Sequence, residues 1–546
     1  MGKVLLADGE PLSEGNVHGL ILYDAPASPC SRRVRITLLE KGLDWDVVNL
    51  NLGVMEQRRP DYLAINPNGF VPTLAHGRKV IFESGAINNY LEHQFPETPL
   101  LPGDAAGIAA VRQWQAAELA MARVFRPVMY QLTAGPLKRI SRTAEENDAI
   151  TLLQTDQPSD LAWERKIYDL QVLSPDELET HRQWLLDWLH PLEAALTGRE
   201  YLVNDQFTQA DIAVFPRLQM YQGLGLEVSP EAFPNLSGWM SRLEERDSFQ
   251  RSMDDAARKY FALTRSPTMK KLRDYFATPE QERSEEATKE ILEIGRATRE
   301  RLGVEKLLAA GKATRKIPQP VEGHEPSAQA PCKPVQSRSP GKLSLHGNAH
   351  SPHSLRIRHL LEYLGRDFEY IEVDLAAGAN RTESFLELNP LGEVPVLEAD
   401  GLTLADSGAI AEFLCSSLPG GDELTPQRSY DRARHEMWLA LESGTHKEFT
   451  PFLHQVMFAS NPARKPEIGS EQAANLRERI GQKLEIVENA LGTETFLMGE
   501  DLSFADFAWH SRIRSLQGTA AGDLLDGCPA ITAWADRVDA RIPSNA

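Results

Sequence analysis

One pattern occurs twice in this chain, in register. LYDAPASPCSRRVRITLLEKGLDWDVVNL opens at Leu22 and YLAINPNGFVPTLAHGRKVIFESGAINNYL closes at Leu91. LHGNAHSPHSLRIRHLLEYLGRDFEYIEVDL opens at Leu345, and FLELNPLGEVPVLEADGLTLADSGAIAEFL follows it. Ser28 and Ser351, Gly42 and Gly365, Asn66 and Asn389, Pro72 and Pro395, Ser84 and Ser407 each stand 323 positions apart. Five turn and cap residues that keep step identify a tandem repeat, so whatever the unit folds into must be built twice.

Within the first copy a short apolar strand meets Ser28-Pro29, an N-cap followed by a first-turn proline. The helix after it carries Val34, Ile36, Leu38 and Leu39, and a second strand runs from Trp45 to Leu50. The Asn66-Pro67-Asn68-Gly69 turn leads to Val71-Pro72, and a hairpin pivoting on His76-Gly77 delivers Glu83-Ser84 to another helix. Strand, helix, strand, hairpin, helix is a thioredoxin-like plan. From Ala105 the spacing of Val111, Trp114, Leu119, Val124 and Met129 is helical.

The expected fold class is therefore α/β plus all-α, duplicated: a thioredoxin-like N-terminal domain followed by an α-helical bundle domain in each half. The expected boundaries are 19–96 and 105–265, a connector at 266–341, then 342–418 and 425–546. Residues 1–18 are expected to fray. The connector is expected to start as a solvated helix with charges of both signs and to end as an extended Pro/Ser-rich linker carrying Cys332 as an exposed thiol. Thr208/Asp211 and Ser503/Asp506 read as capping pairs that serve folding. They lie 295 apart, so the first half holds 28 extra residues, in line with its polar stretch at about 135–180. Trp114, Trp184, Trp188, Trp239, Trp438, Trp509 and Trp534 are assigned to the helical-domain cores.

With 58 Lys and Arg against 78 Asp and Glu, the net charge of −20 argues against a nucleic-acid surface, which needs clustered cations. Cys30, Cys332, Cys415 and Cys528 have no metal-ligand or disulfide spacing, so no metal is expected and the compartment reads as reducing. No apolar run suits a membrane span, and Met1–His18 lacks a basic start followed by an apolar stretch. A cytoplasmic protein is the expectation.

On the Ser-Pro after the first strand, the Val-Pro before the third, the acid-Ser pair opening the next helix and the late Ser/Thr-x-x-Asp cap, each half resembles a cytosolic glutathione transferase. The resemblance implies glutathione as co-substrate and an apolar electrophile as acceptor. It makes Ser28 and Ser351 the hydroxyls that meet the glutathione sulfur, a role compatible with plain N-capping. A thiol of reference pKa about 8.5 is mostly protonated at neutral pH, and lowering it by two units takes about 2.7 kcal/mol. Cys30, in the first turn of the same helix, matches the cysteine that resolves mixed disulfides in some relatives, or else is a small buried apolar residue. His353 replaces it in the second half and reads as a helix-surface residue.

Val71-Pro72 and Val394-Pro395 resemble the cis-proline site that pairs with the cysteinyl backbone. Glu83-Ser84 and Asp406-Ser407 resemble the γ-glutamyl grip, and Arg58 and Arg381 the partners of the glycyl carboxylate. Phe70 and Glu393 depart from the polar residue common before Val-Pro. The resemblance thus implies a glutathione transferase whose first half is the more active. A glutathione-dependent β-etherase or reductive dehalogenase is the alternative, because the polar insert is loosely similar to such members. A non-catalytic glutathione-binding scaffold is the rival from another class. Relatives pair as dimers, so an internal pseudo-dimer or a homodimer is expected.

Overall fold

The computed structural model describes residues 3–4, 12–13, 15–309, 316–321, 331–332, 335, 338–458 and 469–543. The chain forms two compact units. The first comprises Met1–Leu91, Glu97–Leu100 and Ala117–Ala328, and the second Glu92–Pro96, Leu101–Ala116 and Gln329–Ala546.

In the first unit five strands pair in the order β1-β3-β2-β4-β5: β1 (Lys3–Val4), β2 (Leu20–Asp24), β3 (Asp46–Asn49), β4 (Thr73–His76) and β5 (Lys79–Phe82). β2 runs parallel to β3 and antiparallel to β4, as a strand–helix–strand–hairpin chain requires. Helix α1 (Pro29–Glu40) starts at Ser28, whose Oγ accepts the Ser31 N–H at 3.2 Å, and the chain reverses at Gly42 with φ +66°. The short α2 (Pro60–Leu63) and α3 (Ser84–Gln94) complete the thioredoxin-like layer. The tail is not simply frayed. Lys3–Val4 add a strand, Ser13 N–H bonds Asp46 at 2.8 Å, and the Asn16 amide binds the Leu20 backbone in both directions. Residues 5–11 and 14 lie outside the described residues.

The long helix α4 (Ala105–Met129) leads into the helical part, and the polar stretch folds as α5 (Gly135–Ser141), α6 (Ala144–Leu152) and α7 (Pro158–Tyr168). The connector departs from expectation in two places. Helix Glu285–Leu302 is solvated on one face only. Its Ile291, Gly295 and Thr298 are buried one or two turns apart, and a Cβ on Gly295 would stand 2.5 Å from the Ile140 carbonyl, so helix and α5 meet backbone to backbone. Arg299 closes the contact on Glu146 at 2.6 and 2.7 Å. Farther on, residues 316–321 form a strap on the thioredoxin-like sheet. Ile317, 3% exposed, packs with Ile21, Tyr23, Tyr62 and Ala75, its N–H bonds Asp61 at 2.9 Å, and the Tyr23 hydroxyl donates to the Pro318 carbonyl at 2.8 Å. Much of the remaining Pro/Ser-rich stretch lies outside the described residues.

The second unit repeats the plan with four strands in the order β7-β6-β8-β9: β6 (Leu343–Gly347), β7 (Glu369–Glu372), β8 (Val396–Ala399) and β9 (Leu402–Ala405). Helices Pro352–Tyr363 and Ser407–Ser417 pack on them, and Leu345, Leu397, Ile410 and Leu414 share one core with Ile480, Trp509 and Trp534 of the helical bundle. Both late caps form complete capping boxes. Asp211 and Asp506 each also accept a buried tryptophan N–H, from Trp239 at 2.8 Å and Trp534 at 2.9 Å. Trp188 is buried as well, while Trp114, Trp184 and Trp438 are half-buried. Cys332 is half-buried instead of exposed, and burial pushes its thiol up to about 11. Among the described residues no helix is long and apolar enough to cross a membrane, and no group of three His, Cys, Asp or Glu side chains is placed to hold a metal.

Candidate functional site

The N-terminus of α1 gathers the first unit's candidate residues. Ser28 is the N-cap and Cys30 sits in the first turn, both half-buried where the helix presents its positive dipole end. Beneath them lies a cluster that the sequence reading missed. Glu118 of α4, 1% exposed, accepts from Arg217 Nε at 2.5 Å and pairs with Arg33 Nη2 at 2.6 Å, and Arg217 Nη2 donates to Cys30 Sγ at 3.5 Å. Burial pushes the Glu118 carboxyl up, but Arg217 and Arg33 outweigh it and hold it below the usual range. A guanidinium is thus fixed against the sulfur of Cys30 by a carboxylate that cannot turn to solvent.

The same triad recurs in the second unit. Glu442 accepts from Arg356 at 2.6 and 2.8 Å and from Arg512 Nε at 2.9 Å. There Arg512 Nη2 meets His353 Nε2 at 3.2 Å instead of a thiol. His353 is accordingly not a helix-surface residue. Its Nδ1 lies 3.2 Å from Ser407 Oγ and its Nε2 3.4 Å from His446 Nδ1. Burial pushes its pKa well below the ordinary value, with Arg356 and Arg512 adding to the effect, so the ring is neutral. Because an arginine only donates, Nε2 accepts and the ring proton sits on Nδ1, donating to Ser407. Repeat register was the available signal: Arg33 to Arg356 keeps the offset of 323, and Arg217 to Arg512 keeps 295.

The other candidates fall where the repeat puts them. Val71-Pro72 and Val394-Pro395 are both cis. Asn66 Nδ2 donates to the Phe70 carbonyl at 3.0 Å, and Asn389 Nδ2 to the Glu393 carbonyl at 2.8 Å, which pins the loop before each proline. Arg58 and Arg381 lie across the turns at Gly69 (φ +61°) and Gly392 (φ +64°), where a Cβ would come within 2.7 Å of Nη1. Arg58 also pairs with Asp160 of α7 at 3.3 Å. Ser84 and Ser407 are buried first residues of their helices, each after an acid with positive φ, Glu83 at 68° and Asp406 at 87°. Asp406 turns back on its helix and accepts from the Gly408 and Ala409 N–H groups at 2.8 and 3.0 Å. Ser351 caps its helix as Ser28 does, at 3.4 Å from the Ser354 N–H.

The first unit's site therefore offers a helix N-terminus, a hydroxyl, a thiol and a buried guanidinium. In the second unit an imidazole takes the thiol's place. Comparison with known proteins agrees with a duplicated architecture. Models of the glutathione S-transferase N-terminal domain match residues 22–99 and 350–417, and that of the C-terminal domain matches 171–247 and 449–541. Glutathione S-transferase 3 of Zea mays is 30% identical over 240 residues, spanning 43% of this chain and 93% of its own length. A glutathione S-transferase of Hyoscyamus muticus is 29% identical over 204 residues, 36% of this chain and 94% of its own. Among solved structures, the β-etherase LigF from Sphingobium sp. strain SYK-6 is similar at 26% identity, covering 43% of this chain and 98% of that one, with a TM-score of 0.39. With both domain types matched in both halves, the chain is a tandem member of the glutathione S-transferase family.

Proposed function

We propose that the first half binds glutathione and directs its thiolate at an apolar electrophile, while the second half has lost that chemistry. The carrying observation is what the buried arginine of each triad faces: Arg217 meets the Cys30 sulfur in the helix turn that Ser28 caps, whereas Arg512 is taken up by the His353 imidazole. In the first half Val71 would pair with the cysteinyl backbone and Ser84, at a helix N-terminus, would receive the γ-glutamyl carboxylate. Ser28 then donates to the sulfur, and the dipole of α1 and the Arg217 charge favour its anionic form. The thiolate attacks an electrophilic carbon, the new C–S bond replaces the bond to the leaving group, and that group departs with its electron pair.

The full chain, assayed with glutathione and chlorodinitrobenzene, should lose roughly 10- to 100-fold in kcat/KM on Ser28→Ala, the worth of one charge-assisted hydrogen bond. Ser351→Ala should change little. Loss on Ser351→Ala alone would reverse the assignment, and absence of glutathione binding by the wild type would leave the scaffold reading.

The contact of Arg217 with Cys30 favours a second reading, a reductive step. The Cys30 thiolate would attack the sulfur of a glutathione conjugate, form a mixed disulfide and release the carbon, which takes a proton. A second glutathione thiolate would then attack the glutathione sulfur of that disulfide, which frees Cys30 as its thiolate and releases glutathione disulfide. Cys30→Ser separates the two readings, since it abolishes the reductive step and spares conjugation. We also infer that one chain works without pairing with a second copy. Light scattering should return the mass of one chain, 60.9 kDa.

A further inference from the structure

Next to the cis-proline loop of the first unit, two guanidiniums converge on one exposed ring. Phe70 is 47% exposed, and the Arg58 and Arg126 Cζ atoms lie 5.7 and 5.8 Å from its centroid. Arg58 is already engaged, by Asp160 and by the Asn68 carbonyl at 3.5 Å. Arg126, on the exposed side of α4, has no carboxylate partner among the described residues. One turn on, Tyr130 feels both cations: burial raises its pKa, and Arg126 and Arg58 oppose the rise. Glu164, the other acid near that phenol, is paired with Lys138. Trp163 of α7, 39% exposed, stands edge-on to Tyr130 at 5.6 Å. Asp160 and Trp163 both come from the polar stretch that lengthens the first half.

We propose that Arg126, Phe70, Tyr130 and Trp163 form a subsite for a carboxylate-bearing ligand, chiefly an aromatic carboxylate acceptor. A planar ring stacks on the exposed Phe70 face, and its carboxylate takes the fork of Arg126, with the Tyr130 hydroxyl as second donor. The polar stretch thus selects the acceptor in the half that we read as the conjugating one, and the proposal rests on that reading for its thiol co-substrate. The same chemistry would suit the glycyl carboxylate of glutathione itself, so the experiment separates the two sources.

The full chain and its Arg126→Gln variant are compared with chlorodinitrobenzene and with chloronitrobenzoate. The variant should lose roughly 10- to 100-fold in kcat/KM for the carboxylate and stay within about twofold for the neutral electrophile, with Arg126→Lys between them. In a second arm glutathione and γ-glutamylcysteine are titrated by calorimetry. A loss confined to glutathione assigns the subsite to the glycyl carboxylate, and a loss in neither arm overturns the proposal. Direct titration of chloronitrobenzoate in the absence of glutathione keeps the test independent of turnover. Binding by the wild type and its loss in Arg126→Gln would uphold the subsite even if no conjugation occurred, and equal binding by both would refute it.

Discussion

Glu118→Gln is the most informative single substitution. It preserves volume and removes the one charge that two buried guanidiniums share, with side chains 1% exposed for Glu118, 8% for Arg33 and 4% for Arg217. Removing one member of a buried ion pair costs about 3–5 kcal/mol, because the remaining charge is stranded. The Arg217 bond is well aligned on one carboxylate oxygen, and Arg33 Nη2 stands 2.6 Å from the other. The residual amide oxygen can still accept from Arg217, so the lower half of that range is expected. At about 2 °C per kcal/mol for a unit of this size, the first unit should melt roughly 6–8 °C lower. Two units preclude a single two-state transition, so the assay is hydrogen exchange followed by mass spectrometry, which reads α1, α4 and helix Gln209–Leu218 separately from the second unit. The sign with pH is fixed as well. Glu118 has its folded pKa depressed, so its contribution is present above the unfolded value near 4.5 and fades as pH falls through the folded one. The gap between wild type and variant should close under acid. A loss below about 1 kcal/mol, or one shared equally by both units, would refute the view that the triad clamps α1 to the helical domain.

Glu442→Gln should produce the mirror result, loosening the second unit and sparing the first. Acidification should also weaken the second unit. His353, His359, His435 and His510 all have pKa values lowered by burial, His435 to about 3. Stability is therefore full above the unfolded value near 6.5 and falls as pH drops, by about 2 kcal/mol at pH 5 for fully buried His435. Asp506, raised by burial, acts in the opposite sense but is one group against four. His435→Asn should flatten the slope measured by exchange between pH 7 and 5. Ile317→Ala should cost the first unit about 2–5 kcal/mol in the same assay, and no effect would mean the strap is only loosely held.

The repeat was legible because its markers are backbone devices. A cap, a positive-φ glycine or an X-Pro step acts through neighbours in sequence, and Ser28, Gly42 and Pro72 declare themselves there. The strap was hidden for the converse reason. Composition marks Lys316–Val321 as unable to build a core, yet it can complete one, and Ile317 does so beside Tyr23 and Tyr62. The triads were missed because a charged residue on a helix defaults to solvent. Arg33 and Glu118 belong to different elements, and only the fold brings them together. His353 reversed its expected environment in the same way, through Ser407, His446 and Arg512.

The strap and the unit boundaries bear on how the chain can be taken apart. A fragment ending at 309 would uncover the face of Ile21, Tyr23 and Tyr62 that Ile317 closes. A fragment beginning at 329 would lack Ala105 and Ala109, which pack in its core, and Arg112, which pairs with Glu436 at 2.7 Å. Dividing the chain at the connector would therefore not yield two halves that each hold a complete core. Exchanging one half for that of a relative would have to carry residues 101–116 along with the recipient core, so the two copies have ceased to be interchangeable cassettes.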